Sequence, residues 1–248
     1  LVEAALHEQI APVLIGRDAR HIEGISRQLM SPYVGFHSSG AEVRAASAVD
    51  IALWDLAGQR AGVPTYVAMG GGARDSISVY NTCAGYAYNT ASAKRRDIGA
   101  DDEAIGPYDD QVAFMRDAGA LARSLVEEGY AAMKIWPFDV HAAATQGQRI
   151  SAIDLDKGLE PFARIREAVG RRIDVMCELH SLWSAGAALR ICQALEPYDI
   201  FWAEDPIGKM DDVHALADLR RRTRVPICAS ETLGGAVSFR NLLMADAT

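Results

Sequence analysis

Three glutamates stand at matching places in the chain. Glu178 closes Val175-Met176-Cys177-Glu178, Glu204 closes Phe201-Trp202-Ala203-Glu204, and Glu231 follows Ile227-Cys228-Ala229-Ser230. They are 26 and 27 residues apart, one strand-plus-helix step each. Neighbouring strands of a parallel sheet lie ~4.8 Å apart, so equal placement at three strand ends brings three acids around one point. Two like charges about 4 Å apart, at an effective dielectric near 20, repel by roughly 4 kcal/mol. Three bare carboxylates there must take up protons or a cation. All-oxygen ligands with a few waters suit Mg²⁺ better than zinc, which prefers His and Cys. Taken singly, each acid reads as a cap for the following helix; the register argues otherwise.

Two further residues share the strand-end geometry. Lys134 ends Tyr130-Ala131-Ala132-Met133-Lys134, and His180 lies two residues after Glu178, where side chains of a strand point the same way. A histidine beside a metal-bound substrate is a natural proton donor or acceptor near neutral pH. Alone, Lys134 reads as a surface-snorkelling lysine and His180 as a loop residue satisfied by backbone.

The elements that must position these groups begin with helices. Leu1, Ala5, Leu6, Ile10 and Val13 recur at three- and four-residue steps, a second helix covers about 19–30, and a third covers 41–61. On the third, Val49, Leu53, Leu56 and Ala57 share a face, and Gly62 and Pro64 end it. From Ser76 the pattern alternates. Strands are predicted at Ile77–Tyr80, Ala131–Trp136, Ile173–Leu179, Ile200–Glu204 and Val225–Ser230. Helices are predicted between them near 111–128, 159–169, 185–195 and 213–222, with another starting near Val237. Strand–helix repetition of this kind implies a parallel sheet with right-handed crossovers, in a barrel or doubly wound arrangement. The polar stretch Asn89–Tyr108 follows the first strand and reads as a solvated insertion or a substrate loop.

Composition narrows the class. The net charge of −8 disfavours nucleic acid and anionic membrane as partners, though a local basic pocket still suits an anionic substrate. No apolar run approaches the ~20 residues of a membrane span. Cys83, Cys177, Cys192 and Cys228 lack CxxC spacing and read as reduced core residues of a cytoplasmic protein. Gly70-Gly71-Gly72 lacks the Lys-Ser/Thr of a P-loop, and Ala11 stands where a zinc-protease motif starting at His7 needs histidine. Arg220-Arg221-Arg222 sits at a predicted helix C-terminus, where the dipole favours cations. Trp54 and Trp202 read as core.

The segments Ala48-Val49-Asp50-Ile51-Ala52-Leu53-Trp54-Asp55-Leu56-Ala57-Gly58, Trp202-Ala203-Glu204-Asp205-Pro206-Ile207 and Val225-Pro226-Ile227-Cys228-Ala229-Ser230-Glu231 closely resemble the mandelate racemase/muconate lactonizing enzyme group of the enolase superfamily. The resemblance implies an α/β fold, a (β/α)7β TIM-like barrel with an N-terminal α+β capping domain, both truncated here. Residues 1–75 would be the helical part of the cap and 76–248 the first five to six βα units. It places Mg²⁺ on Glu178, Glu204 and Glu231. Such enzymes remove the proton α to a carboxylate, and the metal stabilises the enediolate that forms.

The family's second-strand Lys-x-Lys motif stands here as Lys134-Ile135-Trp136. Lys134 keeps the position that neutralises the substrate carboxylate. The second lysine, usually the base, is replaced, so a two-base racemase is not expected and Trp136 is assigned to the pocket lining. Glu178-Leu179-His180 resembles the acid-x-His arrangement of acid-sugar dehydratases, in which the histidine protonates the departing β-hydroxyl. The base is expected from a His–Asp dyad beyond Thr248. The resemblance therefore implies a hydro-lyase that turns an acid sugar into a 2-keto-3-deoxy acid, acts on a small-molecule carboxylate and assembles as a homo-oligomer. An epimerase, racemase or cycloisomerase of the same superfamily is the alternative, and a non-catalytic metal-binding scaffold the second.

Overall fold

The computed structural model describes residues 1–30, 40–86, 106, 108–208 and 211–248. The chain divides into two compact units, one of residues 1–77 with 232–239 and the other of 78–231 with 240–248. The polar stretch 89–108 lies almost wholly outside the described residues.

The first unit is helical. α1 (Val2–Ala5), a π-helical turn (Leu6–Ile10) and α2 (Ala11–Leu14) follow without a break, then α3 (Ile22–Leu29), α4 (Ala41–Ala61) and α5 (Thr65–Ala68). α4 has the predicted ends. Gly62 turns the chain out of it at φ +69°, a left-handed conformation that glycine adopts without a Cβ penalty. The core gathers Ala5, Ile10, Ile25, Leu29, Ala45 and Ala46, with Val49 and Leu53 packed against it. The expected apolar face ran on to Leu56, which is exposed; the helix makes its core contact between Ala41 and Leu53.

The second unit alternates as its sequence requires. In order come α6 (Asp110–Glu127), β1 (Ala132–Ile135), α7 (Ala152–Val169), β2 (Asp174–Glu178), α8 (Ala185–Leu195), β3 (Ala203–Glu204), α9 (Val213–Arg222), β4 (Ile227–Cys228) and, from Arg240 on, the second half of α10 (Gly235–Met244). The four strands form one sheet in the order β1-β2-β3-β4, every pairing parallel. β1 is buried throughout and β2 in all but its first residue, as expected for strands covered on both faces. α7 starts seven residues before its predicted start, because the Ser151 hydroxyl accepts from the Asp154 N–H at 3.0 Å and caps it.

One predicted strand is corrected. The run Ile77–Tyr80 forms no strand; Ile77 and Val79 are exposed, and pairing begins one residue later as a single parallel bridge from Asn81 to Met133. All four cysteines are free, three of them buried. Arg220, Arg221 and Arg222 close α9 and pair with Asp246 and Asp218. Among the described residues no helix is long and apolar enough to cross a membrane.

Candidate active site

Strand register builds the centre. Lys134 pairs with Met176 across β1–β2, and Glu178, two residues further along β2, pairs with Glu204 on β3. Residues two apart share a strand face, so Lys134, Glu178 and Glu204 converge from three adjacent strands. The Lys134 Nζ donates to Glu178 Oε2 at 2.9 Å and to Glu204 Oε1 at 2.5 Å. The two remaining carboxylate oxygens are also served. Glu178 Oε1 accepts from the His180 backbone N–H at 3.0 Å, and Glu204 Oε2 from the Trp202 indole N–H at 2.9 Å. Trp202, expected in the core, is half-buried and works at this site instead. The Tyr80 ring lies 5.5 Å from the ammonium.

Burial and charge set the ionisation here. Burial works against the Lys134 ammonium, but Glu204 and Glu178 outweigh it and hold its pKa above the ordinary lysine value. Burial also disfavours the Glu178 carboxylate, yet the hydrogen bond with Glu204 and the charges of His180 and Lys134 hold its pKa below the usual range. Glu204 moves the other way, pushed up by burial and by the neighbouring Glu178.

His180 follows directly, at φ +46°, in the turn that leaves β2. Its Nδ1 lies 2.7 Å from Asp139 Oδ2, with side-chain exposures of 11% and 1% respectively. Trp136 packs edge-on against the imidazole at 5.5 Å between centroids, and Phe114 backs Trp136 at 5.3 Å. Asp139 was not among the residues singled out from sequence. It stands past the end of β1 in Trp136-Pro137-Phe138-Asp139, and nothing in that stretch names His180, 41 residues away, as its partner.

Glu231 is placed differently. Its carboxylate is exposed, and its backbone N–H donates to Asp205 Oδ2 at 3.3 Å. Asp205 ties three strand ends together. Its carbonyl accepts from Ser181 N–H at 2.8 Å, and its own N–H donates to the Cys228 carbonyl at 2.9 Å. Burial, then the charges of Glu178, Glu231 and Glu204, push its pKa up to about 7, against the bond from Glu231. Among the described residues no three His, Cys, Asp or Glu side chains gather in a metal-binding cluster. The structure thus brings Lys134, Glu178 and Glu204 together, sets His180 and Trp136 beside them, and holds Glu231 nearby through its backbone.

Do these residues fit a divalent cation? Glu178 and Glu204 do: one oxygen of each already converges on a single cationic centre, the Lys134 ammonium, and both are hard donors. Glu231 is tied by its backbone N–H to Asp205, the residue after Glu204, and its own carboxylate is exposed.

Two family models match the chain. Residues 1–70 match the mandelate racemase/muconate lactonizing enzyme N-terminal domain, and residues 117–248 match the enolase C-terminal domain-like model. The chain belongs to the enolase superfamily. Within it, the mandelate racemase/muconate lactonizing enzyme group is the branch. A protein of Haloferax volcanii named D-xylonate dehydratase is 30% identical over 97% of this chain and 53% of its own length. A protein of Novosphingobium aromaticivorans named D-mannonate dehydratase is 30% identical over 98% of this chain and 58% of its own. The crystal structure of an enolase protein from Sargasso Sea environmental sequence superposes with a TM-score of 0.83 at 58% identity, covering 99% of this chain and 58% of that one. The chain spans about half the length of the curated relatives it matches. In enolase-superfamily terms, the parallel β1–β4 sheet with its intervening helices is barrel architecture, and the strand-end acids lie on the face where such folds place their chemistry.

Proposed function

We propose that this protein is a Mg²⁺-dependent dehydratase of an acid sugar, giving a 2-keto-3-deoxy acid. The observation that carries this reading is His180, set two residues beyond Glu178 with Nδ1 engaged by Asp139, beside the Lys134–Glu178–Glu204 cluster. Glu178, Glu204 and Glu231 would hold the metal, which when bound supplies positive charge for the enediolate made by α-proton removal. Lys134 binds the substrate carboxylate as a second positive charge. His180 gives the proton on Nε2 to the β-hydroxyl as its C–O bond breaks, and water leaves. Trp136 walls the imidazole side of the pocket. It stands where a two-base racemase needs a lysine, which favours elimination over racemisation. The relatives named for xylonate and mannonate support the reaction class and leave the sugar open.

The test is a panel of pentonic, hexonic and aldaric acids incubated with the full-length protein, scoring 2-keto acid with Mg²⁺ and with EDTA. Metal-dependent keto acid from one or two members is the expected outcome. No product from any member, with Mg²⁺ shown by calorimetry to bind, overturns the dehydratase reading in favour of epimerase or cycloisomerase chemistry.

A further inference from the structure

We propose that Asp139 is the positioning residue of the general acid: it fixes the tautomer and orientation of His180, so that Nε2 is the atom that meets substrate. This rests on the dehydratase reading for its kinetic consequence, but not for its geometry.

An ionised carboxylate only accepts hydrogen bonds, so an Asp139 oxygen 2.7 Å from Nδ1 places the ring proton there. Nε2 is then the nitrogen that carries the second proton when the ring is charged. In the elimination the substrate C–O bond breaks, its electron pair leaves with oxygen, and the Nε2 proton completes the water. The imidazole ends neutral with Nδ1–H intact, and Asp139 remains a carboxylate throughout. A ring free to rotate or to exchange tautomers would present the wrong nitrogen for part of the time.

The support for Asp139 is built in two layers. Asp139 opens a 3-10 turn, Asp139–His141, and its side chain is 1% exposed. The residue before it, Phe138, is fully buried and stacks on Phe162 of α7 at 6.1 Å. On the other side of the imidazole, Trp136 packs edge-on and is itself buried. His180 is thus gripped by one charged and one aromatic group, both from the segment that follows β1, while its backbone N–H is tied to Glu178. Four residues after β1 ends, the chain supplies the orienting acid for a histidine two residues after β2 ends. Packing so close is characteristic of a site whose geometry must be held to a fraction of an ångström.

The first measurement needs no turnover: ¹⁵N NMR of His180 in the metal-free, full-length protein, assigned by its loss in His180→Asn. A protonated Nδ1 in the wild type and redistribution of that signal in Asp139→Asn are expected. A wild-type ring with Nδ1 unprotonated overturns the proposal, whatever the variants do. The second is kinetic. Asp139→Asn should lower kcat for dehydration by about 10²–10⁴-fold, leave KM within a few-fold and leave substrate α-deuterium exchange running, with Asp139→Glu recovering part of kcat. Unchanged kcat in a folded Asp139→Asn variant also overturns it. If the wild type proves not to be a dehydratase, the acid-sugar reading fails alone, and the NMR result still decides the Asp139–His180 assignment.

Discussion

At the scale of single residues, Lys134 is the cation on which two buried carboxylates depend. Its side chain is 9% exposed, and those of Glu178 and Glu204 are 5% and 15% exposed. Every oxygen of the two acids has a donor, and Lys134 supplies two of the four bonds. Removing one partner of a buried ion pair costs about 3–5 kcal/mol, because the charge left behind is neither solvated nor paired. Lys134→Met keeps the alkyl volume and removes the charge. It should lower unfolding free energy by about 3 kcal/mol, the lower end, since Glu204 is already pushed toward its neutral form. Urea unfolding checks this directly. If Mg²⁺ binds these carboxylates as proposed, it should restore more stability to the variant than it adds to the wild type, because the ion then replaces the missing charge. Equal Mg²⁺ effects on both proteins would mean that Lys134 and the metal do not share the same carboxylates.

At the scale of elements, α7 and the turn after β1 are locked by one glycine. A Cβ at Gly158 would collide with the ring of Phe138, which is fully buried next to Asp139. In an exposed helix, Gly→Ala gains about 1 kcal/mol. Here overpacking of about 1–3 kcal/mol opposes it. Gly158→Ala should therefore lower the melting temperature by a few degrees and reduce kcat more than it raises KM, since a displaced Phe138 carries Asp139 with it. A variant more stable than wild type, as helix propensity alone would give, would show that this contact yields freely. The same elements explain what was legible beforehand. Strands covered by helices read as apolar runs, so β1 to β4 stood out, and Lys134, Glu178 and Glu204 stood out as the charged residues near the ends of the first three. Ile77–Tyr80 has the same β-rich composition, but composition does not say whether a partner strand lies alongside. Even spacing also hid a difference in register. Glu178 and Glu204 are the last residues of their strands, whereas β4 ends at Cys228, three residues before Glu231, and it is Cys228 that pairs with Glu204. The Asp139–His180 contact joins two turns, and turn–turn contacts leave no periodicity to read.

At the scale of the whole molecule, two titrations act on stability in opposite directions as pH falls below neutral. His141, 3.4 Å from Asp154, has its pKa lowered below 6.5 by burial, with Lys157 adding to this and Asp154 opposing it. The unfolded chain therefore binds a proton near pH 6.5 that the fold resists, and stability is lost as pH falls through that value. Asp205 has the reverse sign. Its pKa is raised from 3.8 to about 7, so the fold binds a proton that the unfolded chain has released, and stability is lost as pH rises across that interval. The wild-type slope near pH 6 is a sum in which each hides the other, so flat stability between pH 5 and 7 would not mean that neither group titrates. The two separate in a difference measurement. In His141→Gln the His141 contribution is gone and that of Asp205 remains, so the variant should gain stability relative to wild type as pH is lowered below about 6.5. The gap should widen by no more than about 1.4 kcal/mol per pH unit, the limit for one whole proton. Denaturant midpoints for both proteins, at half-unit steps from pH 7.5 to 5, decide it. A gap that stays constant over that range would show that His141 charges as readily in the fold as in the unfolded chain, and that the space it shares with Asp154 is open to water.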